Sequence, residues 1–228
     1  MIKPDSNIFP SMEVYIEERT RLNINLLYSF MLKRIAKGYS SLDVSFLMGF
    51  SFDFIKSVEE LMNLGLDFIT NNLYLRALQD DNDGIVFDDF EANGIVTYKL
   101  VRITYPEQII HEVFKVSDED DPELIFRLFE INHPVKAHKN MQGQEDRRML
   151  LTKFIDLLFS STYFLSPRKP ISIFNRCQIA VDGELKPYEL REILFDMCKK
   201  KSYPKLRAKE RKDGLTFEKV FKIGNKSM

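Results

Sequence analysis

Three histidines, His111, His133 and His138, and two cysteines, Cys177 and Cys198, are the side chains of this 228-residue sequence best suited to hold a metal or act as nucleophiles. Their spacing supports neither role. No histidine pair has the four-residue helical spacing of a zinc site, and both cysteines lie far from all three histidines. Asp80-Asp81-Asn82-Asp83-Gly84 begins like a calcium loop, with Glu91 at its twelfth place. Its sixth place holds Ile85, where such a loop needs glycine, so a solvated turn is expected. There is no phosphate-cradling glycine loop, nucleophile elbow or cysteine–histidine pair at a known motif spacing. No catalytic residue, metal or cofactor is therefore expected, and no enzyme. Without an apolar leader in MIKPDSNIFP, and with so few cysteines, the thiols read as small packed hydrophobes of a reducing, cytoplasmic protein. No run approaches the ~20 apolar residues that a membrane span requires.

Charge is the remaining candidate for chemistry. Lys and Arg number 33 against 34 Asp and Glu, a net charge of -1, so bulk charge favours no partner. Its distribution is uneven. Acids concentrate at Asp80, Asp81, Asp83, Asp88, Asp89 and Glu91, and again over Asp118–Asp121 with Glu123. The segment from Lys199 to Met228 carries eleven cations against three acids, a local +8. Lys199, Lys200, Lys201, Lys205, Arg207, Lys209, Arg211 and Lys212 form its densest part. Basic side chains gathered this way suit the phosphates of nucleic acid. As a solvated helix end, Lys199–Lys201 would simply complement a helix dipole.

Stepwise apolar spacing predicts a helix within 11–37, closed by Gly38 in the manner of a left-handed cap. Ser40, with Asp43 three residues on, predicts a capping box opening a second helix. Gly49 interrupts it, and Ser51 is the expected cap of a third short helix from about Phe52 to Met62, ended by Asn63 and Gly65. Residues 80–93 read as an acidic linker. Alternation predicts strands over 95–104 and 109–115, while the apolar run Leu124–Ile131 fits either helix or strand. A helical block follows from near Gln144. It continues through 171–180, a turn at Asp182-Gly183 and a Pro187-led helix on Leu190, Ile193, Leu194 and Met197. The end reads as a hairpin, Lys205–Glu210 and Thr216–Ile223.

Residues 32–61 resemble the helix-turn-helix of Cro/C1-type (XRE-like) repressors. Val44, Leu47 or Met48, Ile55 and Val58 stand at that family's apolar positions, Ser45 at its small-residue position, Gly49 in its turn and Glu59 at its terminal acid. The resemblance implies that the third helix enters a DNA major groove while the start of the second touches phosphate. It implies Ser40, Ser41, Lys56 and Ser57 as groove residues, with Lys33, Lys37 and the C-terminal cations on the backbone. At the reading positions this sequence offers Phe52, Asp53, Phe54, Lys56 and Ser57, and Ser41 replaces the family's glutamine.

The fold expected is α+β but mostly α. An N-terminal helix-turn-helix domain spans 11–79, the acidic linker 80–93 and a small β-containing segment 94–143. A helical C-terminal domain over 144–228 follows the element order of a winged helix. The function expected is double-stranded DNA binding by a cytoplasmic transcriptional regulator acting as a homodimer. The rival is a protein-interaction module in which the helix-turn-helix is scaffold and the basic C-terminus grips an acidic partner.

Overall fold

Met12, Val14 and Ile16 alternate with Glu13, Tyr15 and Glu17, a period of two that puts apolar and polar side chains on opposite faces of an extended chain. In the computed structural model these residues form strand β1 (Ser11–Thr20), not the first turns of a helix. Residues described are 9–62, 67–81, 83, 94–117, 121–132, 142–181, 185–212 and 214–222. Most of the expected acidic linker, Asp118–Asp120, His133, His138, the Asp182-Gly183 turn, Asn63 with Gly65, and Lys226 lie outside them. Among the described residues are seven α-helices and six strands, and they cluster into two compact units.

The first unit comprises Met1–Gly38 and Lys56–Asn140. Its frame is an antiparallel sheet in the order β1-β2-β3-β4, with β2 Ile95–Thr104, β3 Gln108–Lys115 and β4 Glu123–Ile131. The ambiguous run at Leu124 is therefore a strand. Helix α1 (Arg21–Ala36) starts where Thr20 Oγ1 accepts the Asn23 N–H, and Gly38 follows it at φ 64°. Helix α1 covers one sheet face. Ile24, Leu27 and Met31 pack there with Tyr98, Leu100, Val113, Phe126 and Leu128, each large apolar group contributing about 1.5–3 kcal/mol by leaving water. Helix α4 (Phe68–Leu78) is capped by Asp67 and seats Tyr74 on the Phe30 ring, with its hydroxyl donating to the Phe30 carbonyl.

The second unit comprises Tyr39–Ile55 and Met141–Met228. Helix α2 (Ser41–Met48) is buried from Asp43 through Met48, with Asp43 and Ser45 as its buried polar positions. It packs on α6 (Pro170–Ala180) and α7 (Pro187–Lys199). Helix α5 (Gln142–Ser160) and a 3-10 turn, Tyr163–Leu165, complete the helical part. Strands β5 (Lys205–Arg211) and β6 (Gly214–Val220) make a hairpin, and Arg168 adds an antiparallel bridge to Phe217. Phe217 lies fully buried between Phe46 and Phe195, with ring centroids 6.4 and 5.6 Å away.

This architecture corrects the expected fold class. The chain is α+β with a four-stranded sheet whose first strand is N-terminal, and the N-terminus is not a helix-turn-helix bundle. Helix α2 lacks the polar face that would let it sit at the surface of a small bundle, so it is completed by α6, α7 and the hairpin. The compact units accordingly cut across the expected 11–79 domain, at Gly38/Tyr39 and again at Ile55/Lys56.

Candidate nucleic-acid interface

The two short helices of the helix-turn-helix region form where their local signals place them. Ser40 Oγ accepts the Asp43 N–H at 3.1 Å, and the Asp43 carboxylate accepts the Ser40 N–H at 3.1 Å, closing the capping box. Gly49 ends α2 at φ 81°. Helix α3 (Phe54–Glu59) is shorter than expected, beginning with the Phe54 N–H bonded to the Ser51 carbonyl. Ser45, buried, donates to the Ser41 carbonyl at 2.9 Å and accepts the Ile55 N–H at 3.0 Å, so one small side chain satisfies the first turn of the next helix.

What surrounds the turn differs from a groove-reading helix. The Gly49 carbonyl accepts the Leu215 N–H at 2.6 Å, and a Cβ on Gly214 would meet the Gly49 oxygen at 2.6 Å. The turn is therefore packed on the hairpin. Phe52 is partly exposed yet lies edge-on to Phe195 at 5.8 Å, and Asp53 faces water. Helix α3 has six residues, of which Ile55, Val58 and Glu59 are buried.

The residues expected to contact DNA separate into groups. Ser40 is committed to its cap and Ser41 is half-buried. Lys56 is exposed and 3.4 Å from Glu60, and Ser57 is half-buried. Lys33 is held by the Asp80 carboxylate at 3.0 Å and the Asp81 carbonyl, and Lys37 is a half-buried helix cap. The C-terminal cations stand more openly. Lys199 pairs with Asp196 at 2.9 Å and Lys200 approaches Asp156 at 3.9 Å. Arg207 and Arg211 share the Glu218 carboxylate, whose pKa is held below its usual value first by the Arg207 hydrogen bond. Lys205 lies over the Tyr203 ring. Lys201, Lys209 and Lys212 are exposed, with no carboxylate within ion-pair distance among the described residues. Strand geometry puts Lys205, Arg207, Lys209 and Arg211 on one face of β5, since alternate residues share a face.

Helix α7 presents a different character. Leu190, Ile193, Leu194 and Met197 point into the core as their spacing predicts, and its outer positions are acidic. Glu192 is bound by Arg148 at 2.6 Å, Asp196 approaches the same guanidinium at 3.9 Å, and Arg191 is bound to Asp43 at 2.9 Å. A helix with this surface repels phosphate and offers few donors to base edges.

A second polar cluster escaped the sequence reading. Arg34, almost wholly buried, binds Glu59 at 2.7 Å and Glu130 at 2.9 Å, and His111 Nε2 lies 3.0 Å from Glu130. Burial works against the Arg34 charge, but Glu59 and Glu130 raise its pKa well above the ordinary value. Burial also opposes the Glu130 charge, and hydrogen bonds from Arg34 and His111 overcome it and hold that carboxyl far below the usual range. The signal was present: Arg34 falls three residues after Met31 and seven after Leu27, on the apolar stripe of α1, where a charge demands partners. His111 is thus a core histidine within hydrogen-bond distance of Glu130. Cys177 is buried, its thiol pushed up to about 12 by desolvation, and Cys198 is likewise a free thiol. Among the described residues no helix is long and apolar enough to cross a membrane, and no group of three potential ligands converges on a metal site.

Comparison with protein-family models, curated proteins and solved structures finds no match.

Proposed function

We propose that this chain is a DNA-binding protein, a transcriptional regulator acting as a homodimer, and that it docks through the C-terminal hairpin with the end of α7. The observation carrying this reading is the set of exposed cations Lys201, Lys209 and Lys212, with no carboxylate within ion-pair distance among the described residues, together with Arg207 and Arg211. The order α5, bridge at Arg168, α6, α7, hairpin is that of a winged helix, with the basic strand as its wing. The acidic outer face of α7 argues against base readout there, so phosphate contact supplies most of the affinity and sequence preference is weak. The helix-turn-helix serves as scaffold, since α2 is buried and only Lys56 of α3 is exposed, with Phe52 and Asp53 in the turn before it.

Titration of a fluorescent random duplex with the full chain at 50 and 200 mM salt tests the reading. Three phosphates neutralised by the free lysines give a loss of about fortyfold over that salt range. Changing Lys201, Lys209 and Lys212 together to Ala removes binding, whereas Lys56→Ala leaves it in place. No binding at 50 mM salt overturns the reading in favour of an acidic protein partner for the hairpin, and loss with Lys56→Ala alone overturns the choice of hairpin over α3.

A further inference from the structure

Four cations and one carboxylate make up the charge on the outer face of the hairpin. Lys205, Arg207, Lys209 and Arg211 alternate along β5, and the β6 positions opposite them are Val220, Glu218, Thr216 and Gly214. Glu218 is the one acid among the described strand residues of this face. Both arginines are spent on it. Arg207, directly opposite in register, donates to Oε1 from Nε at 3.2 Å and also from Nη2. Arg211 opposes Gly214, which has no side chain to meet it. It reaches back past the Thr216 position and donates from Nη2 to Oε2 at 3.0 Å. Each carboxylate oxygen thus serves a different guanidinium.

The three side chains are layered. Glu218 is 13% exposed, whereas Arg207 is 54% and Arg211 38% exposed, so the carboxylate lies beneath and the guanidiniums meet water. One arginine would suffice to tie β5 to β6, yet a second crosses four positions to share the same anion. Two guanidiniums around one oxyanion also suit phosphate, because the planar fork of donors matches carboxylate and phosphate oxygens alike. The Arg207 hydrogen bond, ahead of any other influence, holds the Glu218 pKa below its ordinary value, so this carboxylate is ionised at neutral pH.

We infer that Glu218 stands in for a DNA phosphate: it fills the Arg207–Arg211 clamp in the unbound chain and yields it to a backbone phosphate on docking. It thereby limits the affinity of the hairpin for duplex. The inference rests on the hairpin reading above and adds how binding there is restrained. Exchange is feasible because exposed ion pairs are weak, and a phosphate keeps both arginines hydrogen-bonded. The displaced carboxylate stays on the same face, where its charge opposes the phosphate that replaces it.

Duplex titrations of the full chain and of Glu218→Gln, at 50 and 200 mM salt, test the inference. Gln keeps the size of the side chain and can still accept from an arginine, so far-UV circular dichroism should match the parent. Binding at 50 mM salt is expected to tighten at least fivefold. With five phosphates neutralised in place of three, the loss over that salt range should grow from about fortyfold to about five-hundredfold. Adding Arg207→Ala and Arg211→Ala to Glu218→Gln should cancel the gain. A measurement on the unaltered chain decides the matter even if the variant misfolds. Saturation with duplex should shift the carbon-13 resonance of the Glu218 carboxylate and the Nε–H resonances of Arg207 and Arg211.

A folded Glu218→Gln that binds with the affinity and salt dependence of the parent overturns the inference and leaves the hairpin reading intact. So does a gain that survives loss of both arginines, or a Glu218 resonance unmoved at saturation. Duplex binding by Glu218→Gln but not by the parent would support it. Absence of binding by both at 50 mM salt defeats the hairpin reading and this inference together.

Discussion

Arg34 and Lys209 carry the same charge on long side chains, and their surroundings give them opposite roles. Arg34 lies on the apolar stripe of α1 with two carboxylates and a histidine completing its shell, so its charge is spent joining α1 to β4 and to the end of α3. Lys209 lies on the outer face of a hairpin strand, where no described carboxylate reaches it. The comparison teaches that a cluster of charge indicates a partner only when the fold leaves it unsatisfied.

Replacing Arg34 is the strongest way to break the comparison. Arg34→Met leaves Glu59 and Glu130 buried without their cation, an expected loss of about 3–5 kcal/mol in urea unfolding, since uncompensated buried charge is costly. Arg34→Lys should recover only part of it, because an ammonium cannot hold two carboxylates in a fork geometry. An Arg34→Met loss below about 1 kcal/mol would reject the structural role.

Acid titration of stability probes the same cluster. The folded carboxyl of Glu130 is depressed, so its contribution is present above the unfolded value of about 4.3 and lost as pH falls toward the folded one. Unfolding free energy should decline as pH drops below about 5, and Glu130→Gln should flatten that decline. An unchanged pH slope in the variant would place the acid sensitivity elsewhere.

Gly214→Ala tests whether the turn after α2 leans on the hairpin. Gly214 sits at φ 109°, and an added Cβ would meet the Gly49 carbonyl at 2.6 Å. Backbone strain alone costs about 1–3 kcal/mol, and the second unit should lose at least that in thermal unfolding. The smallest expected effect belongs to the hairpin. Changing Lys201, Lys209 and Lys212 to Ala should alter stability by less than about 0.5 kcal/mol, since these side chains hold nothing in the fold. A larger loss would move them from partner-facing to structural.

Several features were legible from short stretches of sequence. The capping box at Ser40 and Asp43, the left-handed glycines 38 and 49, the strand at 95–104 and the inward residues of α7 all depend on neighbours a few positions apart. Strand β1 carried an equally local signal in Met12, Val14 and Ile16, masked by the Leu-rich run directly after it. The hairpin cations were legible as a composition bias, although which of them stay unpaired was not.

Local rules thus set where helices begin and end, because caps, turns and alternation act within a few residues of backbone. Tertiary structure alone decided that α2 is a buried pillar of the second unit, that Lys33 is taken up by Asp80, and that Arg34 finds Glu130 across 96 positions. Burial and pairing are properties of surfaces brought together by the whole chain, and they determine which charges remain for a partner.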